Sequence, residues 1–352
     1  MTQFIQFHLL TAYPPSNLNR DDLGRPKTAI VGGTERLRIS SQSLKRAWRT
    51  SSLFEEALGQ YQGTRTKRLG KEVFKHLKEQ GVDEKKAAKW AESMAAKFGA
   101  LKSDDKLEIE QLVHISPEEW NAVMALADKL AAEQREPEQD ELSLLREHPQ
   151  AVDIALFGRM LASSPVHNVE AAAQVAHAIT VNTVKIEDDF FTAVDDLNRH
   201  EEDAGAGHMG DAGFGSGIYY LYLCIDQDLL VRNLNHGKDE GDPALANKAI
   251  AALLESAAKV APTGKQNSFA SRAYTSYILA EKGAQQPRSL SVAFMKAIKA
   301  NDPVKAAIEA LEAQRERFDR DYGACADQRR VLNAHDEQGH STLEDIIAFI
   351  KE

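Results

Sequence analysis

From Phe4 to Leu10 the chain alternates, with Ile5, Phe7 and Leu9 on one face and Gln6 and His8 on the other. A period of two predicts a strand. The next segment, TAYPPSNLNRDDLGRPK (11–27), carries three prolines and a glycine and predicts a break in regular structure. Alternation resumes at Glu35–Ile39, where Leu37 and Ile39 oppose Arg36 and Arg38. That strand runs straight into Ser40-Ser41, a good helix N-cap. From about 53 to 148 the spacing turns helical: Phe54, Leu58 and Tyr61, then Val73, Phe74 and Leu77, then Trp90, Met94 and Phe98 recur three and four apart. Ser116-Pro117-Glu118-Glu119 predicts a helix start, with a capping serine, proline at the first position and glutamate three after the cap. That helix should bury Val123, Leu126, Ala127 and Leu130, and EQREPEQDE (133–141) should be the most exposed stretch of the block.

Strand character returns at AVDIALFGRM (151–160) and QVAHAITVNTVKI (174–186). A glycine-rich span, HEEDAGAGHMGDAGFGSG (200–217), separates FFTAVDDL (190–197) from GIYYLYLCI (217–225), which predicts a long hairpin projecting from the body. Helices are expected at 243–260, 288–300, 303–318 and 341–351, with a strand at Tyr274–Leu279. Strands alternating with helices make this an α+β chain, a sheet of ferredoxin-like type carrying large insertions.

Composition narrows the class. With 43% hydrophobic and 27% charged residues over 352 positions, the chain can bury a full core as one large domain or two smaller ones. No apolar run approaches the ~20 residues of a membrane helix, so no membrane partner is expected. The opening residues lack the pattern of a signal peptide, and Cys224 and Cys325 stand far apart without a CxxC partner, so the expected location is cytoplasmic. The net charge of −10 argues against nucleic acid, but the charge is unevenly spread. Between residues 20 and 50, eight cations (Arg20, Arg25, Lys27, Arg36, Arg38, Lys45, Arg46, Arg49) face three acids (Asp21, Asp22, Glu35). Phosphate affinity follows the local basic surface, while an acidic body limits indiscriminate binding.

The strongest local chemistry is RLRISSQSLKRAWR (36–49). A strand delivers Ser40 and Ser41 to a helix start, where unpaired N–H groups favour an anion. Gln42, Lys45 and Arg49 lie three and four apart and share one side, with Arg46 one position round. Such a stripe can track a sugar–phosphate backbone, and Gln42 can reach a base or a 2′-hydroxyl. The plain alternative is a capped surface helix whose cations snorkel. Phosphate-loop readings fail: Gly213, Gly215 and Gly217 form GxGxG ahead of a strand, and PTGKQ (262–266) lacks the first glycine and the Ser/Thr. Asp188-Asp189, Asp195-Asp196, His200, His208 and Asp211 match no metal-ligand spacing. No nucleophile elbow or Cys–His arrangement occurs. No metal, cofactor or catalytic residue is expected.

The run FIQFHLL…PPSNLNRDD…KTAIVGG…RLRISSQSLKRAWR resembles the opening of the CasC family, the repeated backbone subunit of the type I-E CRISPR Cascade complex. The resemblance resumes at VDIALFGRM, at AHAIT (176–180) and at FTAVDDL (191–197), about half the chain in all, and is weak across 53–148 and the last fifty residues. It implies a modified ferredoxin-like, RNA-recognition-motif palm (1–52, 151–187 and 221–352), a helical finger insertion (53–150) and a β-hairpin thumb (188–220). It implies a non-enzymatic, antiviral role: copies of the subunit polymerise along the CRISPR guide RNA beside other Cascade subunits and hold it for pairing with target DNA. The guide-RNA contacts carried over are Arg20, Lys27, Ser40, Gln42, Lys45, Arg46 and Arg49. Arg159, Met160 and Val166 belong to a loop placing an apolar wedge by a displaced base, and Lys265 and Gln266 to a further contact. The competing reading is a metal-dependent nuclease using the thumb carboxylates Asp195 and Asp196.

Overall fold

The computed structural model describes residues 2–193, 208–238, 241–336 and 341–351. Strand β1 (Phe4–Ser16) leads through a loop to the hairpin β2 (Thr28–Val31) and β3 (Thr34–Ile39), which feeds α1 (Ser41–Arg49) and α2 (Ser52–Leu58). An insertion follows: β4 (Thr64–Thr66), α3 (Leu69–Glu79), α4 (Glu84–Ala95), β5 (Val113–Ile115) and α5 (Pro117–Glu133). Helix α6 (Val152–Phe157) returns the chain to the body, followed by β6 (Ala173–Val175), β7 (Ala178–Thr180), β8 (Glu187–Ala193) and β9 (His208–Asp226). Helices α7 (Gln227–Leu234), α8 (Ala244–Lys259) and the one-turn α9 (Gln266–Phe269) precede β10 (Tyr277–Gly283), α10 (Pro303–Tyr322), β11 (Gln328–Asn333) and α11 (Leu343–Lys351).

The strands make an antiparallel sheet in the order β11-β10-β1-β9-β7-β3-β2, with β6 also paired to β9. An inner strand, β1, buries Ile5, Phe7 and Leu9 against α1, α2, α8 and α11 in the main core. The polar face predicted for Gln6 and His8 is buried too, because α10 and residues 290–294 cover that side with Leu290, Phe294, Ile308 and Leu311. Polar groups there must therefore find partners in the protein. Glu281 on β10 accepts from His8 Nε2 (3.3 Å), from Arg329 Nε (2.7 Å) and from both terminal nitrogens of Arg288. His8 Nδ1 in turn accepts from the Tyr220 hydroxyl (2.9 Å). Burial opposes charge on Glu281, but hydrogen bonds and the fields of His8 and Arg288 outweigh it and hold its carboxyl well below the usual range. Its contribution to stability is complete above the ordinary glutamate value and is lost as pH falls through the depressed folded value. Glu281→Ala strands the Arg288 guanidinium and leaves Arg329 with Asp319 alone, and is expected to cost about 3–5 kcal/mol, read as a lower Tm at neutral pH and a flatter acid limb.

The insertion has its own core, built on Val73, Leu77, Trp90, Met94, Phe98, Val123, Leu126 and Leu130. The capping box at Ser116 and Glu119 is formed as expected, and Val123, Leu126, Ala127 and Leu130 are buried. Three expectations need correction. Within 151–160, Val152–Phe157 form a short helix, not a strand: a short apolar run fits either, and Val152–Leu156 are buried, with Val152, Ala155 and Leu156 in the main core. The helix expected at 288–300 is a single 3₁₀ turn, Ser291–Phe294. The prolines of 11–27 do not end β1, which continues to Ser16 through a register shift between Tyr13 and Ser16, the irregularity at which proline is tolerated.

The projecting hairpin is β8 paired with the first half of β9. Part of the glycine-rich span is thus strand, His208–Gly217. Glycine is needed there because neighbours cross the strand closely: a Cβ at Gly217 would lie 2.7 Å from Thr180 Cγ2. Among the described residues no helix is long and apolar enough to cross a membrane.

Candidate nucleic-acid interface

Helix α1 lies on the main core through Leu44 and Trp48, which turns the opposite side outward. Gln42 and Arg46 are exposed and Lys45 and Arg49 half-buried, so the stripe read from spacing is present on one helix. Its N-terminus differs from expectation. The Ser40 hydroxyl accepts from Ser43 N (3.3 Å), and Ser40 N donates to Asn19 Oδ1 (2.8 Å). Ser40 is buried and its hydroxyl is taken up by the cap, so the more exposed surface is the helix side.

Two open clefts flank α1. One, about 610 Å³, is bounded by Gln42, Lys45, Arg46 and Arg49 and, across from them, by Arg65, Gln111, Leu112 and His114 of the insertion and Phe157–Met160. The other, about 480 Å³, joins Ser43, Arg46 and Thr50 to the Leu18–Asp22 loop and to Thr263-Gly264. Arg46 lines both, and the two clefts together are the groove flanking the helix. Lys45 Nζ sits 5.5 Å over the Phe157 ring, and burial lowers its pKa. A part-desolvated ammonium on an aromatic face gains when a phosphate arrives.

The Leu18–Lys27 loop is fixed from several directions. Asn17 Nδ2 donates to the Gly24 and Gly213 carbonyls (both 2.9 Å), Asp21 Oδ1 accepts from Leu23 N and Arg25 N, and Arg25 pairs with Asp188 (3.0 Å). Arg20 is thereby held exposed at the groove. Gly264 packs against the same loop: a Cβ there would fall 2.3 Å from Leu18 O, so glycine is required. That contact brings Lys265, exposed, and Gln266, half-buried, next to the groove without their lining it. Lys27 also stays outside it. It lies by His177, whose pKa is lowered by burial and by the charges of Arg38 and Lys27.

Arg159 is the main correction among the site residues. Its side chain is 1% exposed; Nη1 donates to both Glu119 carboxylate oxygens, 2.9 and 2.7 Å away, while Nη2 donates to the Arg146 and His167 carbonyls. It is spent inside the protein and holds the loop that presents Met160 (79% exposed) and Val166 (66%). Other cations counted in the basic segment, Arg38 among them, also meet protein groups. Arg36 is fully buried on the Thr180 and Phe294 carbonyls, and Arg25 is paired with Asp188.

Arg65, Leu112 and His114 escaped the sequence reading. They meet the groove because β4 pairs with β5, setting Arg65 opposite His114. Asp153, buried on α6, ties this junction together: it accepts from His114 Nε2 (2.7 Å), Gly63 N (2.8 Å) and Arg49 Nη1 (3.5 Å). Asp153→Ala is expected to lower stability by about 1–3 kcal/mol and loosen insertion from sheet, checked by hydrogen exchange at β4 and β5.

Among the described residues no group of three metal-ligating side chains gathers. Asp195, Asp196, His200 and Glu201–Asp203 lie outside the described residues.

No curated protein matches the chain. Solved structures do. A chain from a "CRISPR RNA-guided surveillance complex, pre-nicking" superposes with a TM-score of 0.85 at 30% identity over 99% of both chains. A chain from a "CRISPR RNA-guided surveillance complex" gives 0.76 at 25% identity, again over 99% of both. These are the assemblies toward which the opening motif's resemblance points. The model of the CT1975-like protein family matches residues 5–348, and the chain therefore belongs to that family.

Proposed function

We propose that this chain is a non-catalytic backbone subunit of a type I-E Cascade complex, several copies of which line up along a CRISPR guide RNA. The observation that carries the reading is the groove along α1, where Gln42, Lys45 and Arg46 face an apolar edge of Phe157, Leu112 and Met160. Cations beside an apolar surface, without an enclosed base-reading pocket, suit a strand gripped by its phosphates while its bases stay free to pair. Likeness over nearly the whole length to chains of CRISPR surveillance complexes supports the same reading.

The parts divide accordingly. The strand order β10-β1-β9-β7, with α1–α2 and α8 as the crossovers, is the ferredoxin-like arrangement and makes the palm. The insertion makes the fingers, and β8 with β9 the thumb. Met160 and Val166, exposed at the groove's edge and nearby, are the wedge against a displaced base. Arg20, Lys45, Arg46 and Arg49 take phosphates, with Lys27, Lys265 and Gln266 on the approaches.

The test is co-expression with neighbouring subunits and a repeat–spacer transcript. The chain is expected to purify with one guide-length RNA. A chain that emerges free of RNA with its partners present would overturn the proposal.

A further inference from the structure

The finger end of the groove carries a second basic strip. Thr64-Arg65-Thr66-Lys67-Arg68 places three cations within four positions, Arg65 and Arg68 exposed and Lys67 half-buried. No carboxylate meets any of the three among the described residues. Elsewhere on the fingers Lys71, Lys89, Lys102 and Lys106 each meet one. The strip is also rigid. Lys67 O accepts from Ile109 N (2.9 Å), Arg68 N donates to Thr66 Oγ1 (2.9 Å), and β4 is paired to β5. Through His114, Asp153 and Arg49 it is braced against the end of α1.

Its placement is informative. Arg65 lines the cleft across from α1, whereas Lys67 and Arg68 lead away from it. Phe157, Leu112 and Met160 line the same cleft. Cations from two separate elements beside apolar side chains suit a paired nucleic acid, two backbones flanking a layer of bases. A lone strand held on α1 leaves the outer strip without a ligand.

We propose that Arg65, Lys67 and Arg68 bind the phosphates of the complementary strand once it has paired with the strand held on α1. The inference rests on the guide-binding reading above. Contacts of this kind are blind to sequence and act only after pairing, so they stabilise any correct duplex without choosing it.

The experiment uses assemblies loaded with guide RNA, carrying either the wild-type chain or R65A/K67A/R68A. Binding of a complementary and a scrambled single-stranded DNA is measured between 50 and 200 mM salt. At ~0.7 per phosphate, loss of three contacts lowers the salt slope for the complement by about two units. Guide content per chain stays the same in K67A/R68A, whose residues lie outside the cleft, and R65K/K67R/R68K keeps wild-type binding. A triple variant that has lost guide RNA in proportion would assign the strip to the guide and overturn the proposal. Unchanged binding of the complement would overturn it too. Absence of guide from the wild-type assembly is a separate failure, of the functional reading itself, and shows before any variant is compared.

Discussion

Arg159→Ala is expected to destabilise the protein by about 3–5 kcal/mol while removing no contact to a ligand. The guanidinium lies against Glu119, whose side chain is also fully buried, so truncation leaves a carboxylate in the interior with its strongest partner gone. Ser116 N (2.9 Å) and Arg146 N (2.8 Å) still reach Glu119, but neither carries charge. The Arg146 and His167 carbonyls lose their donors as well, and with them the 160–168 loop loses its anchor. Thermal melting should show a drop of several degrees, and limited proteolysis should cut first within 160–168. A variant that melts like the wild type but binds RNA poorly would return Arg159 to the surface contacts.

Lys45→Ala with Arg46→Ala should give the largest loss of RNA binding at little cost in stability. Arg46 is exposed and lines both clefts, Lys45 sits over the Phe157 ring, and neither meets a carboxylate among the described residues. Arg49 is a poorer choice for the test because it also braces Asp153. Each lost phosphate contact removes about 0.7 from the salt slope, and the loss should be equal for unrelated sequences. Filter binding of two unrelated RNAs across a salt series measures both. Loss confined to one sequence would mean that the groove reads bases.

Local periodicity carried the parts of the fold that local forces decide. Phe4–Leu10, Glu35–Ile39, the Ser116 helix start and the α1 stripe all form, because capping and alternation act within a few residues. Where tertiary burial decides, the pattern misled. VDIALF reads as strand until the main core closes over it, and Gln6 and His8 read as a wet face until α10 covers them. The glycines of His208–Gly217 resemble a flexible linker, yet they let Thr180 and Phe191 pack across a strand.

The site divides along the same line. Gln42, Lys45, Arg46 and Arg49 are legible because one helix carries them all. Arg65 and Leu112 reach the groove only through three-residue strands that pair across some fifty positions of sequence, and no local signal marks that. Arg159 cannot be told from a surface arginine without Glu119, forty positions away, beneath it. The resemblance of the opening motif points to the right family for a physical reason: the NRDD turn and the RISSQSLKRA segment are a single unit, cross-tied by Asn19 to Ser40.

If copies of this chain add along an RNA, native mass spectrometry of assemblies on guides of increasing spacer length will count them. One RNA per particle is expected, with a copy number of this chain that rises in whole steps as the spacer lengthens. A copy number that stays fixed whatever the RNA length, or particles without RNA, would contradict it.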